Sequence, residues 1–147
     1  MTNSASYGSC LLDEDEFVAA VEQARYPNGE FHHPDHIRLA WIYVRRYGPH
    51  QAEERITRTI RRFATSLGHE AKFHDTMTRA WLRLVAAAQQ LTPGIVDFDS
   101  FLAKHAWLLD RSALSAFYSD ARLSSEQARR QWVEPDRNPL SLAALHI

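Results

Sequence analysis

With one cysteine and five glycines in 147 residues, the chain lacks the materials of several protein classes. The lone Cys10 excludes an intrachain disulfide and a cysteine-rich zinc knuckle. The glycines are scattered and form no Gly-rich phosphate loop, which excludes nucleotide folds built on one. Neither charge sign is in excess: 17 Lys and Arg stand against 18 Asp and Glu, a net charge of −1. Such a balance argues against a nucleic-acid partner and against a polybasic membrane surface. No apolar run approaches the roughly 18 residues of a membrane span. The first ten residues carry no basic or apolar signal region, so a cytoplasmic, reducing setting is the default expectation. Alternating strand patterns, heptads and internal repeats are missing as well.

What is present is a composition suited to one globular domain. Apolar residues make up 45% and charged residues 24%, enough for a core without covalent staples. Residues 1–10 read as a disordered N-terminal segment and 11–147 as a single helical domain. The first helix is expected over Asp13–Ala24, with acidic residues in its first turn where the helix dipole favours them. Pro27-Asn28-Gly29 breaks the chain. A second helix opens near Pro34 and ends near Tyr47. Its stripe of His36, Leu39, Ala40, Tyr43, Val44 and Tyr47 follows i, i+3, i+4, i+7 spacing. Gly48-Pro49 separates it from a third helix reaching Leu67, with Ala52, Ile56 and Phe63 on its core face. A fourth runs from His74 to Gln90 with Met77, Ala80, Trp81, Leu84, Val85 and Ala88 inward. Short helical pieces follow: one capped by Asp99 or Ser100, one over Arg111–Tyr118 behind Asp110, and one capped by Ser124 and Ser125. The fold class is therefore all-α, a single-domain bundle of about four main helices with short C-terminal helices packed across it.

Eight histidines and sixteen aromatic residues stand out in this composition. In Phe31-His32-His33-Pro34-Asp35-His36, His33 precedes a proline and is expected extended, at the N-cap, with His36 one turn away on the buried stripe. His74 opens the buried face of the fourth helix through its i+3 and i+7 neighbours Met77 and Trp81. Two helices thus each bring imidazole to an N-terminal end on the core side. A helix N-terminus disfavours protonated imidazole, and neutral imidazole is the metal-binding form. Three imidazoles leave coordination positions open, as a catalytic metal site requires. His33, His36 and His74 are therefore the candidate ligands of one divalent transition metal: iron, copper, zinc or nickel. Asp75 is a candidate ligand or partner of His74, and His32 or Glu134 an alternative member of the set. Tyr43, seven residues beyond His36, and Thr78, beside His74, are expected to shape the pocket together with Trp81. The competing explanation is that His36 and His74 are hydrogen-bonded core histidines. His50, His69, His105 and His146 are expected to be exposed. The arginines 55, 58, 61 and 62 are expected on a solvated face, with pairs such as Glu54–Arg58.

Phe31-x-His33-x-x-His36-x-x-Leu39-Ala40-Trp41-x-Tyr43, followed by Lys72-Phe73-His74-Asp75-Thr76-x-Thr78-x-x-Trp81, resembles a family of small, largely uncharacterised bacterial all-α proteins. Its pattern is F-x-H-x-x-H, then K-[FY]-H-[ED]-T-x-T-x-x-W. The likeness continues through Leu108-Leu109-Asp110, Tyr118-Ser119 and Trp132-Val133-Glu134-Pro135-Asp136. The resemblance implies that the three histidines belong to one site and supplies no reaction. This chain departs at Asp75, where the family more often has Glu, and the shorter arm weakens direct ligation there.

The leading expectation is a small cytoplasmic helical metalloprotein: a metal-dependent oxidoreductase, lyase or hydrolase acting on a small-molecule substrate. The alternatives are a non-catalytic metal sensor or carrier, and a metal-free interaction or regulatory protein. The last of these would form a homodimer through an apolar part of the second or fourth helix.

Overall fold

The computed structural model describes residues 12–26 and 31–145, the side chain of Ala144 excepted. The expected mobile segment 1–10, Cys10, the Pro27-Asn28-Gly29 breaker and His146 lie outside the described residues. Helices α1 (Glu14–Glu22), α2 (His33–Ser66), α3 (Asp75–Leu91), α4 (Phe98–Lys104), α5 (Asp120–Leu123) and α6 (Glu126–Arg130) follow in order. Tight 3₁₀ turns at Glu70–Lys72, Ala106–Leu109, Arg111–Ala116 and Leu142–Leu145 connect or follow them. The described residues contain no strand, and the fold is all-α. None of the helices among the described residues is long and apolar enough to cross a membrane.

Each main helix begins where its sequence offers a cap. The Asp13 carboxylate accepts from Glu16 N at 2.8 Å, and Glu16 returns the bond to Asp13 N at 3.3 Å. The second and third expected helices join end to end across a kink. Gly48 takes φ 82° and ψ 159°, because Pro49 has no N–H and its ring bars the helical region to the residue before it. α4 is capped by Asp97, accepting from Ser100 N at 2.9 Å, rather than by Asp99 or Ser100 themselves. Ser125 caps α6, and Asp110 caps the Arg111–Ala116 turn as expected.

The α2–α3 pair forms the principal packing unit, with α1 and the Ala106–Leu109 turn against α2 and α6 against α3. Positions 39 to 44 of α2 are buried without interruption, so this helix is central rather than one-sided. Burial extends from Phe17 through Ile37, Ile42, Leu82, Phe101 and Phe117 in one core. An ionic seam closes one side of the pair. Glu53 accepts from Arg79 at 3.1 Å and Arg83 at 2.9 Å, while Arg79 also meets Asp75 at 2.9 Å. The acidic residues of the third expected helix thus pair with α3 rather than with its own arginines. Arg55 and Arg61 instead lie over the rings of Tyr47 and Phe73, at 4.0 and 4.8 Å.

The chain after α6 is a strap tied to α3. The Thr76 hydroxyl donates to Gln131 O at 2.8 Å and accepts from Val133 N at 3.2 Å. Tyr118 adds a buried bond to Val133 O at 2.8 Å.

Candidate functional site

The starts of α2 and α3 lie together, and a cavity of about 460 Å³ opens between them and the C-terminal turn of α2. His33, His36 and His74 all line it, as do Thr78, Trp81 and Met77. Its apolar wall comes from Phe31 and Phe73 and from Ile60, Phe63 and Leu67 of α2. The volume falls within the range of small-molecule sites, roughly 300–1,000 Å³. The two distant histidine segments therefore converge on one cavity, but the three rings differ in chemical state.

His74 is the N-cap of α3. Its Nδ1 accepts from Met77 N at 3.0 Å, and its Nε2 meets Leu123 O at 2.7 Å. A carbonyl only accepts, so Nε2 carries the proton and Nδ1 the lone pair, and the ring is neutral with both nitrogens committed. Burial lowers its pKa, outweighing the carbonyl bond that raises it, and Arg129 lowers it further. His33 donates Nε2–H to Leu108 O at 2.8 Å and sets its ring edge against Trp81 at 4.6 Å. Its Nδ1 lone pair has no such bond among the described residues. Burial depresses its pKa first, and the nearby Arg111 guanidinium adds to this. His36 is half-buried as a residue, but its Nε2 is buried and has no hydrogen-bond partner among the described residues. Burial, with a small contribution from His33, lowers its pKa to about 3. All three imidazoles are thus neutral at pH 7.

Helix α2 begins one residue earlier than expected. His32 is the N-cap, its N–H donating to Asp35 at 2.7 Å, and His33 lies in the first turn. The reason is Asp35: its fully buried carboxylate closes the turn on residue 32, drawing His33 into helical geometry. Among the described residues, no group of three His, Cys, Asp or Glu side chains is placed to hold a metal ion. His74 would have to release its cap to join one.

Asp75, Tyr43 and Glu134 lie away from the cavity. Asp75 is buried and turned to Arg79 at 2.9 Å and Arg61 at 3.7 Å, so its carboxylate holds α3 to α2. Tyr43 is fully buried two turns beyond His36, bonded to Glu22 and to Thr59 at 3.0 Å. It does not line the cavity, because α1 covers that part of the stripe. Burial, the first cause, and the Glu22 bond raise its pKa. Glu134 accepts from Trp132 Nε1 at 2.9 Å. Thr78 does line the cavity, and its hydroxyl donates to His74 O at 2.8 Å, steadying the turn. His105 is buried rather than exposed and meets the Thr92 hydroxyl at 2.9 Å. His69 is half-buried and lines the cavity.

Lys72 and Arg111 at the cavity are further members that the sequence reading did not select. Lys72 was in view, two residues before His74. The spacing of Ile60, Phe63, Ala64 and Leu67 also marks a single face, which reads as core until its partner surface is known. No family model, curated protein or solved structure matches this chain.

Proposed function

We propose that the protein recognises a small organic molecule in the histidine-lined cavity, with His36 as the polar anchor. The observation that supports this most directly is the buried, unpartnered Nε2 of His36 in a residue of the cavity wall. Leaving such a group unpaired costs about 1–3 kcal/mol. Of the three buried side-chain nitrogens without a partner among the described residues, those of His36, Trp41 and Trp107, only that of His36 belongs to a residue lining the cavity. An aromatic and aliphatic wall set against convergent polar groups matches the make-up of small-molecule sites. An imidazole whose pKa is about 3 is a poor base at pH 7, which favours hydrogen bonding over proton transfer as its role.

The test is a small-aromatic fragment library screened by NMR, following the ring nitrogens of His36 and the indole N–H of Trp81. Binders are expected to move both signals together and to lose affinity in His36→Leu. A folded protein whose signals stay still across the library would sink the reading.

One observation favours a second reading, the metal site. His33 donates Nε2–H to a backbone carbonyl, and its Nδ1 has no partner among the described residues, the outer support typical of metal-ligating histidine. In that reading His33 and His36 hold a transition ion, and His74 joins after releasing Met77 N–H. Elemental analysis of tag-free protein decides it: near-stoichiometric metal lost in His36→Ala supports it, and metal-free wild type rejects it.

A further inference from the structure

Among the described residues, the charged side chains that line the cavity are of one sign: Lys72 and Arg111, with no aspartate or glutamate. Neither cation makes a salt bridge among the described residues, although Arg46, Arg79, Arg83, Arg129 and Arg130 all do. Of the acidic residues near them in sequence, Glu70 is exposed, while Asp75 and Asp110 are engaged elsewhere. Asp75 faces Arg79 and Arg61. Asp110 accepts from Ser112 N at 3.0 Å and its hydroxyl at 2.6 Å, capping its own turn. Both cations are exposed, so they stand at the mouth rather than in the floor. Behind them lies an aromatic interior: Trp81 against His33 at 4.6 Å and Phe31 against Phe63 at 5.0 Å.

We propose, resting on the small-molecule reading above, that this pocket selects an amphiphilic organic anion with one carboxylate and an apolar, aromatic body. The body lies among Phe31, Phe63, Phe73 and Trp81, and the carboxylate meets Arg111 and Lys72 at the mouth. The geometry suits this division. Apolar area is removed from water inside, while the charge remains where water and two cations share its solvation. Arg111 offers a planar fork that a carboxylate can bridge, and Lys72 adds a mobile point charge. An amine or a metal cation entering by the same mouth would meet these two like charges first.

The experiment compares three probes with one naphthyl body and different heads: 1-naphthylacetate, 1-naphthylacetamide and 2-(1-naphthyl)ethylamine. Binding to the full chain is measured by calorimetry at low and high ionic strength. The Trp81 indole resonance reports occupation of the cavity. The acid is expected to bind about tenfold more tightly than the amide, a ratio within reach of one charge-assisted contact. The amine should bind most weakly, and high salt should compress the ranking. In the double variant R111Q/K72Q the acid-to-amide ratio should fall to about one. Both residues are exposed, so the variant should fold. An acid no tighter than the amide overturns anion selection but leaves the small-molecule reading standing. A ratio that persists in R111Q/K72Q overturns the assignment of the head to these two cations. Failure of all three probes to bind or to move the Trp81 signal overturns both the anion proposal and the reading beneath it.

Discussion

At the start of α3, His74 commits one ring nitrogen to Met77 N and the other to Leu123 O, and the buried Asp75 pairs with Arg79. At the start of α2, the capping is done by main chain and Asp35, and His36 behind it leaves a buried nitrogen without a partner. Both turns begin with histidine, and both bury an aspartate. The difference is one of division of labour. Where the imidazole itself caps the helix, it is a structural residue. Where a carboxylate takes that duty, an imidazole one turn further in is released for something else. Histidine beside a helix start is thus not one kind of signal but two, distinguished by what satisfies the free N–H groups.

The contrast is broken most forcefully at His74. His74→Ala removes an N-cap, about 1 kcal/mol, and strands the Leu123 carbonyl, about 1–3 kcal/mol. A loss of about 3 kcal/mol in urea unfolding is expected. A loss no larger than that of the same change at His36 would erase the distinction between the two turns.

Acid should act next. The pKa of His36 is held at about 3 in the folded protein against 6.5 when unfolded. Between those values the unfolded chain takes up a proton that the folded chain refuses. Stability is therefore full above about pH 6.5 and declines as pH falls toward 3, by about 1.4 kcal/mol per unit. From pH 7 to pH 5 the loss is about 2 kcal/mol from His36 alone. His33 and His74, shifted in the same direction, steepen it. Thermal melts over this range should show the decline, and His36→Leu should flatten it. An unchanged slope in that variant would mean that the ring titrates normally in the folded state.

The smallest effect sharpens the comparison from the other side. Replacing an unsatisfied buried polar group by an apolar one of similar size is nearly neutral or stabilising. His36→Leu at pH 7 should fall within about 0.5 kcal/mol of wild type or exceed it, while fragment affinity drops. A large destabilisation would show that the nitrogen has a structural partner after all.

Much of the architecture was legible because apolar periodicity and punctuation act locally. The inward positions Ala80, Trp81, Leu84, Val85 and Ala88 repeat at helical spacing and are buried. The break at Gly48-Pro49 follows from the missing N–H of one residue and the permissive backbone of the other. The convergence of His33, His36 and His74 was expected from their inward positions near two helix starts, and they do share a cavity. The N-cap of α2 was misplaced because its position depends on the buried Asp35 carboxylate, a competition that spacing does not reveal. Tyr43 was assigned to the wrong cavity wall because α2 is buried on several faces, and periodicity names a stripe without saying which neighbour covers it. His105 reads as exposed in sequence because it follows a short helix, yet Phe101 and Thr92 enclose it.

The chain's own order of residues thus settled where helices start, stop and turn their apolar faces, since these rest on contacts within a few residues. Which imidazole is occupied and which is free was decided only by the tertiary structure. The deciding partners are the main-chain oxygens of Leu108 and Leu123, far along the chain from His33 and His74. Every residue carries such a carbonyl, so nothing in its identity marks it as a partner. Folding alone brings it within hydrogen-bonding reach.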